Sequence, residues 1–246
     1  MSRSMTCHCR SVLTAEDTES LIEPAWAHFD DDHPELGLTM AHVRNYLESE
    51  DRSKGPTEHL DQIGDVEVRP VTPESATDVV RFFDTDAMPD NPAWGACYCM
   101  FYFRGGHANE SWGTEPWQQN RSDQLERVVR GNTTGVLAYV AGKLAGWCNA
   151  TSRAEFPGLA TGNDEGVVSI VCFAIAPPYR RHGLATRLLE DVISTFSEPG
   201  TRRLEAYPVR DPADERAAFH GSLDLFERAG FEITSIDPLV VGMDLR

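Results

Sequence analysis

The chain has 246 residues, of which 41% are apolar and 25% are charged, a composition typical of a folded globular protein and unlike that of a disordered or fibrous chain. Its 22 lysines and arginines against 39 aspartates and glutamates give a formal net charge of −17, which disfavours binding to nucleic acid or to anionic lipid. The apolar runs are much shorter than the roughly 18 residues of a membrane span, and no secretory signal precedes them, so we expect a cytoplasmic protein.

The basic residues are almost all arginines, because Lys54 and Lys143 are the only lysines. Arginine combined with abundant aspartate is typical of acidic proteins from a salt-loaded cytoplasm, and adaptation to salt is a hypothesis about the habitat. In a reducing compartment the six cysteines are predicted to be thiols or metal ligands rather than disulfides.

The first 50 residues predict a small helical domain. One helix is expected from Thr14 to about Phe29, with Thr14 and Asp17 in capping-box spacing, and a second from Thr39 to about Ser49. So short a unit buries little apolar surface and would gain from a metal or from docking on its neighbour.

Four side chains of this segment have the chemistry of a zinc site. Cys7 and Cys9 supply two thiolates, and His28 and His33 supply two imidazoles. The alternative is that the cysteines pack in a small core while the histidines lie on the acidic surface. The segment also resembles a short domain of unknown function, found in archaea and bacteria, that begins Met-Thr-Cys.

Residues 51–65 predict a linker, because the stretch around Gly55-Pro56 is polar and contains a turn signal. Residues 66–246 then predict an α/β domain, a mixed sheet with helices on its faces. The predicted strands are 66–71, 134–140, 144–152, 166–175, 203–209, 231–236 and 240–245. The predicted helices are 73–83, 116–130, 183–196 and 216–229, and 84–115 is a long loop rich in aromatic residues and cysteine.

The most informative stretch runs from the strand at 166–175 into the helix at 183–196. The apolar strand stops at Pro177-Pro178, a basic turn follows, and Gly183-x-Ala185 opens an amphipathic helix. The first amides of a helix lack backbone acceptors and carry partial positive charge, so this turn suits an anion such as a phosphate. The alternative is an ordinary connection between a strand and a helix.

The pattern Arg180-x-x-Gly183-x-Ala185 after Ile175 and Pro177 resembles the acetyl-CoA-binding signature of the GNAT N-acetyltransferases. The similarity covers about residues 66–246 and includes Leu225–Phe231, which is similar to the family's helix followed by Gly-Phe. It implies the GNAT acyl-CoA N-acyltransferase fold for this part of the chain.

The resemblance also implies where acetyl-CoA binds. The backbone of Phe173, Ala174 and Ile175 would pair with the pantetheine arm, and the thioester would reach a gap between the strand of Cys172 and that of Tyr207. The residues implied for the pyrophosphate are Arg180, Arg181, His182, Gly183, Leu184, Ala185 and Thr186.

Phe226 occupies the position of the family's usual thiolate-protonating tyrosine and can neither donate nor accept a proton. Tyr207 and His220 are therefore the candidate acids, and Glu205 is a candidate base acting through water. The alternatives are a packed tyrosine, a surface histidine on the last long helix and an ordinary strand carboxylate. Cys172 lies within an apolar strand, where a thiol is usually a small buried hydrophobe rather than a nucleophile.

The leading interpretation is an acyl-CoA-dependent N-acetyltransferase that acetylates a small-molecule amine by direct attack in a ternary complex. In the resembling family the segment around Trp94–Gly106 forms a wall of the acceptor site, and Trp112 and Trp117 would add to a pocket for a ring-bearing or amphipathic amine. The alternatives are a non-catalytic acyl-CoA sensor and a protein or peptide N-acetyltransferase. A homodimer is an open possibility for its assembly.

Overall fold

The computed structural model describes residues 2–52, 54–197, 200–210 and 217–245. The strands are β1 Arg3–Thr6, β2 Val12–Ala15, β3 Val66–Pro70, β4 Gly135–Val140, β5 Lys143–Ser152, β6 Val167–Ile175, β7 Arg203–Ala206, β8 Glu232–Ile236 and β9 Leu239–Asp244. The helices are α1 Thr18–Asp32, α2 Met40–Glu50, α3 Ala76–Arg81, α4 Pro92–Gly95, α5 Trp117–Val129, α6 Leu184–Phe196 and α7 Leu223–Arg228.

The predicted mixed α/β sheet is confirmed. Within the described residues it has seven strands in the order β3-β4-β5-β6-β7-β9-β8. Neighbouring strands pair antiparallel except β6 and β7, which run parallel. β4 is buried along its whole length because one sheet face packs on α6 and the other on α3, α5 and the aromatic loop. Over the residues that the structure describes, no helix combines the length and apolar character that a bilayer crossing needs.

The N-terminal segment contains the two predicted helices and, in addition, a β hairpin of β1 and β2. The predicted start at Thr14 is wrong, because Thr14 lies in β2 opposite Ser4. Asp17 is the N-cap of α1, and its carboxylate accepts a hydrogen bond from the Ser20 amide at 2.8 Å. The buried core of this segment consists of Met5, Leu21, Ile22, Ala25, Val43 and Leu47.

The predicted helix over 216–229 is wrong as a continuous element. Ala217–His220 form a 3-10 turn, Gly221 adopts a φ of +78°, and Ser222 caps the short helix α7. A left-handed glycine ends one helical segment before the next begins. The start of the prediction, Arg216, lies outside the described residues.

The parallel pairing of β6 with β7 is short and decides the architecture of the site. It runs from Val167 opposite Arg203 to Ile170 opposite Ala206. The predicted strand over 203–209 therefore ends early, and Val209 instead bridges to Ser222. No described strand pairs with residues 171–175 on this edge, so for five residues beyond β7 the strand β6 is paired only with β5 on its other edge. The two strands separate there.

The N-terminal segment and the predicted linker both contact the rest of the chain. Asn45 of α2 donates its side-chain amide to the Gly113 carbonyl at 3.1 Å and accepts the Trp117 amide at 3.0 Å. Leu60 donates its amide to the Pro178 carbonyl at 3.0 Å. The division into domains at 1–50 and 66–246, with 51–65 as a linker, stays a prediction; within 51–65, Gly55 and Leu60 form hydrogen bonds to Thr85 and Pro178 of the sheet domain.

We expect Gly135→Ala to destabilise the fold far more than Gly142→Ala. Both glycines have positive φ, 134° and 77°, but a Cβ at Gly135 would overlap the Cys148 carbonyl, whereas one at Gly142 meets nothing within 4 Å. The free energy of unfolding should fall by about 2 kcal/mol more in Gly135→Ala. Denaturant unfolding measures both; equal losses would contradict the register of β4 against β5.

Candidate active site

The turn between β6 and α6 presents unpartnered backbone amides. Arg181 and Gly183 adopt φ values of +66° and +78°, and no side chain caps the helix. The first helical hydrogen bond runs from the Arg187 amide to the Gly183 carbonyl, so the amides of residues 184–186 have no acceptor within the helix. A Cβ built on Gly183 meets nothing within 4 Å, which shows that the turn is open. This geometry suits a phosphate group.

The basic side chains of the turn differ in what they contact. The guanidinium of Arg180 forms hydrogen bonds to Asp90 at 2.6 and 3.1 Å and donates to the Ile175 carbonyl at 3.0 Å. His182 Nε2 lies 2.8 Å from the Leu60 carbonyl oxygen. Arg181 is exposed. Arg180 and His182 therefore brace the turn through their side chains, and the anion-binding surface is mainly backbone.

A cavity of about 220 Å³ lies beside the free part of β6. Its lining side chains are Phe83, Met88, Ala93, Trp94, Cys97, Cys99, Phe101, Tyr102, His107, Trp112, Val171, Cys172, Phe219 and His220. The aromatic loop thus forms one wall and Val171 with Cys172, the first residues of β6 beyond its pairing with β7, forms another. Trp117 lies elsewhere, stacked on Tyr98 with ring centroids 6.3 Å apart.

Tyr207 lies next to this cavity. Its ring stacks on Tyr102 with centroids 6.0 Å apart, and its hydroxyl is 3.0 Å from Ser169 Oγ. Burial raises the pKa of Tyr207 to about 12, so the hydroxyl carries its proton at neutral pH and can donate it. Sequence reasoning missed Ser169, although a hydroxyl inside an apolar strand is the signal that could have found it.

His220 ends the 3-10 turn and faces the cavity, not the outer surface of a long helix as one alternative held. Its Nε2 atom is buried without a hydrogen-bond partner, and its ring lies 4.2 Å from Phe219 and 5.6 Å from Tyr102 between centroids. Burial lowers the pKa of His220 to about 4. The neutral imidazole is therefore suited to accept a proton rather than to protonate a thiolate.

Glu205 is held by arginines. Its carboxylate lies 2.7 Å from Arg153 and 3.2 Å from Arg203, and Arg153 also pairs with Asp164 at 2.6 Å. This network ties β7 to the segment after β5. Glu205 is absent from the cavity lining among the described residues, whereas His220 is part of it. The charge of Glu205 nevertheless reaches Tyr207 and contributes to its raised pKa.

Phe226 is fully buried and packs on Phe173 and Phe231, with ring centroids 6.0 and 5.2 Å apart. Gly221 lies so close that a Cβ there would be 2.7 Å from the Phe226 ring. Phe226 is thus a core residue whose ring packs on Phe173 in the part of β6 beyond β7. Phe226 itself has no group that could donate or accept a proton.

Two of the cavity thiols, Cys99 and Cys172, share a hydrogen bond. Asn149 donates its amide to Cys99 Sγ at 3.2 Å. A hydrogen bond with Cys99, together with burial, raises the pKa of Cys172 well above its usual value. Burial raises the pKa of Cys97 to about 12. Cys97 and Cys172 thus stay protonated at neutral pH, which supports a packing role for Cys172 over a nucleophilic one.

A second cluster lies in the N-terminal segment, where one ligand atom each from Cys7, Cys9, His28 and His33 falls within 4.8 Å of the others. Cys7 Sγ is 3.4 Å from His33 Nε2, and Cys9 Sγ is 3.5 Å from His28 Nε2. His28 Nδ1 lies 2.7 Å from an Asp32 carboxylate oxygen, which orients the ring. Hydrogen bonds with Ser11 lower the pKa of Cys9 to about 5, toward the thiolate that a metal binds.

Comparison with known proteins gives one family. A family model described as "Acetyltransferase (GNAT) family" matches residues 96–231. No curated protein sequence matches the chain. Similar solved structures include a GNAT-family acetyltransferase from Streptococcus pneumoniae, with 17% identity, 74% of this chain and 100% of that chain covered, and a TM-score of 0.43. An N-acetyltransferase from Staphylococcus aureus Mu50 is 13% identical, with 74% of this chain and 100% of that chain covered and a TM-score of 0.47.

The buried state of His220 predicts a pH dependence of stability. Because folding lowers its pKa from 6.5 to about 4, the unfolded chain binds a proton in this window that the folded chain does not. Stability is therefore lost as the pH falls from 6.5 toward 4. Between pH 7 and 5 the free energy of unfolding of the parent should fall by about 2 kcal/mol more than that of His220→Gln. Both chains contain the neighbouring His107, so its titration does not contribute to the difference.

Urea unfolding at several pH values measures this difference. Parallel pH curves for the parent and His220→Gln would show that the imidazole titrates alike in the folded and unfolded chains, which contradicts the burial of its ring.

Proposed function

The chain belongs to the acetyltransferase (GNAT) family, and from this premise we propose that it transfers an acetyl, or another short acyl, group from acetyl-CoA to the amine of a small molecule. The observation that carries the proposal is the separation of β6 from β7 beside an apolar cavity. The exposed edge of β6 leads along the chain to the turn that suits an anion, and Val171 and Cys172 of the same strand line the cavity. The small size of the cavity favours a small acceptor over a folded protein.

In this proposal the chain holds acetyl-CoA mainly through its backbone. The backbone of Phe173, Ala174 and Ile175, on the unpaired edge of β6, forms hydrogen bonds with the pantetheine arm, which lies along this edge like an additional strand. The amides from Arg181 to Thr186 face the pyrophosphate, supported by the partial positive charge at the start of α6. The Arg180 and Asp90 pair holds the turn in place.

The chemistry needs a nucleophile, a proton acceptor and a proton donor. A neutral amine in the cavity attacks the thioester carbon, so that the C–N bond forms and the C–S bond breaks. His220 lines the cavity, and its Nε2 atom, which is buried without a hydrogen-bond partner, would take the proton that the amine loses. Tyr207, through its protonated hydroxyl near Ser169, can protonate the departing thiolate. Tyr207 would thus supply the proton that Phe226 cannot donate, and His220 would act as the base.

A second candidate function is an acyl-CoA sensor without turnover, which the fully buried Phe226 at the family's tyrosine position favours. The two functions share the binding site for acetyl-CoA and differ in whether an amine releases CoA.

All six cysteines are free thiols, which supports a place in the reducing cytoplasm. Salt adaptation and a homodimer stay predictions.

We expect acetyl-CoA to bind with micromolar affinity and Ala185→Glu to weaken that binding about 100-fold or more, because a carboxylate among the turn amides repels phosphate. Thr195→Glu adds the same charge at the exposed far end of α6 and serves as the control. Isothermal titration calorimetry in high salt measures all three chains. Equal affinities for the two variants would place the cofactor elsewhere.

We also propose that the N-terminal cluster binds one structural zinc ion. The donor set of two thiols and two imidazoles, already gathered within 4.8 Å, matches a tetrahedral site in which all positions are filled by protein. Cys7 and Cys9 lie between β1 and β2, and His28 and His33 lie at the end of α1. A bound zinc would link the hairpin to the helix in a segment with a small core.

Purified protein should contain about one zinc per chain, and a chelator should lower its Tm. Cys9→Ser removes one thiolate and should reduce the zinc content to near zero, whereas Cys97→Ser, which removes a thiol outside the cluster, should keep it. Elemental analysis and thermal unfolding measure these effects. A parent chain free of zinc after growth in zinc-supplemented medium would refute the site.

A further inference from the structure

The acceptor cavity is electrically neutral in a strongly acidic protein. The chain carries a formal charge of −17, yet none of the described residues that line the cavity is an aspartate, glutamate, lysine or arginine. Aromatic side chains dominate the lining, among them Phe83, Trp112 and the contacting rings of Trp94 and Phe219, whose centroids are 5.3 Å apart. Such a surface binds a flat apolar ring and offers no counter-ion to a charged one.

A buried charge without a counter-ion is costly, and this restricts the amine. An alkylamine is an ammonium ion at neutral pH, and it would have to lose its hydration in this cavity without a carboxylate to pair with. An amino acid or a polyamine would need further charged partners. An amine attached directly to an aromatic ring is weakly basic and stays neutral, so it enters the cavity without that penalty.

Among the described lining residues, one buried side-chain nitrogen has no hydrogen-bond partner. His220 Nε2 is buried and has no hydrogen-bond partner, although its ring is fixed between Phe219 and Tyr102. A buried polar atom without a partner usually meets one in a ligand or a water. The aromatic lining together with this nitrogen suits a flat molecule with an N–H group.

We propose, on the basis of the acetyltransferase function proposed above, that the acceptor is an arylamine whose ring packs between the cavity aromatics and whose amino group donates to His220 Nε2. The nitrogen lone pair attacks the thioester carbon, the C–N bond forms and the C–S bond breaks. The proton leaves nitrogen for His220, and the thiolate takes a proton from the Tyr207 hydroxyl. Solvent then returns the His220 proton to Tyr207, so one proton moves from nitrogen to sulfur overall.

Two probe amines on the same ring test this proposal. 5-Aminoindole carries its amine on the ring, and 5-(aminomethyl)indole carries it one methylene away as an ammonium ion. With saturating acetyl-CoA, thiol release should give a kcat/KM at least about tenfold higher for 5-aminoindole. Ala93→Asp places a carboxylate on the cavity wall, and in this variant the ratio should fall at least about tenfold as the ammonium gains a partner.

The arms of the experiment separate the two proposals. If acetyl-CoA binds in calorimetry but 5-(aminomethyl)indole is the better acceptor, or neither amine releases CoA, the arylamine assignment is overturned while the cofactor site stands. If acetyl-CoA does not bind to the folded chain, the proposed function itself fails. His220→Gln should lower kcat for 5-aminoindole at least about tenfold with acetyl-CoA affinity unchanged; an unchanged kcat would contradict the role of Nε2.

Discussion

The separation of two parallel strands is the constraint on which the site depends. β6 and β7 pair only as far as Ile170 and Ala206, and beyond this point β6 runs on while β7 turns away at Tyr207 and Pro208. Proline cannot donate to a sheet, and Val209 bridges to Ser222 instead. The departure exposes a strand edge, opens room for the cavity and brings Tyr207 against the aromatic loop. Packing of Phe226 under Phe173 supports the strand that remains.

Electrostatics divide this site into two parts. The turn after β6 concentrates backbone N–H groups and arginines within a chain whose net charge repels anions, so the local geometry must overcome the global field. The cavity next to it carries no formal charge among its described lining residues. The N-terminal segment contacts the chain next to the cavity wall, since Asn45 contacts Gly113 and Trp117 and His42 Nε2 lies 3.0 Å from the carbonyl oxygen of Trp112. A metal that orders this segment would thereby also steady the wall of the cavity.

The sequence predicted the strands around the turn and the opening of α6, because long apolar runs and a Pro-to-Gly boundary are strong local signals. It also indicated Cys7, Cys9, His28 and His33 as candidate metal ligands, because cysteine and histidine can be identified as zinc ligands from the sequence alone. It did not predict the hairpin of β1 and β2, the break at Gly221 or the place of His220. Each of these depends on contacts between segments far apart in the chain, and the burial that lowers the pKa of His220 has no local signature.

Hydrogen exchange measured with and without acetyl-CoA tests the central claim most directly, since it reads single backbone amides. The account predicts that acetyl-CoA slows exchange of the amides of 171–175 that point to the edge away from β5, and of the amides at 184–186, which have no acceptor within α6. The N-terminal hairpin should exchange at an unchanged rate. Slowed exchange at these two segments together would support a cofactor lying along the free edge of β6 and over the start of α6. Protection confined to other segments, or none with acetyl-CoA bound, would contradict it.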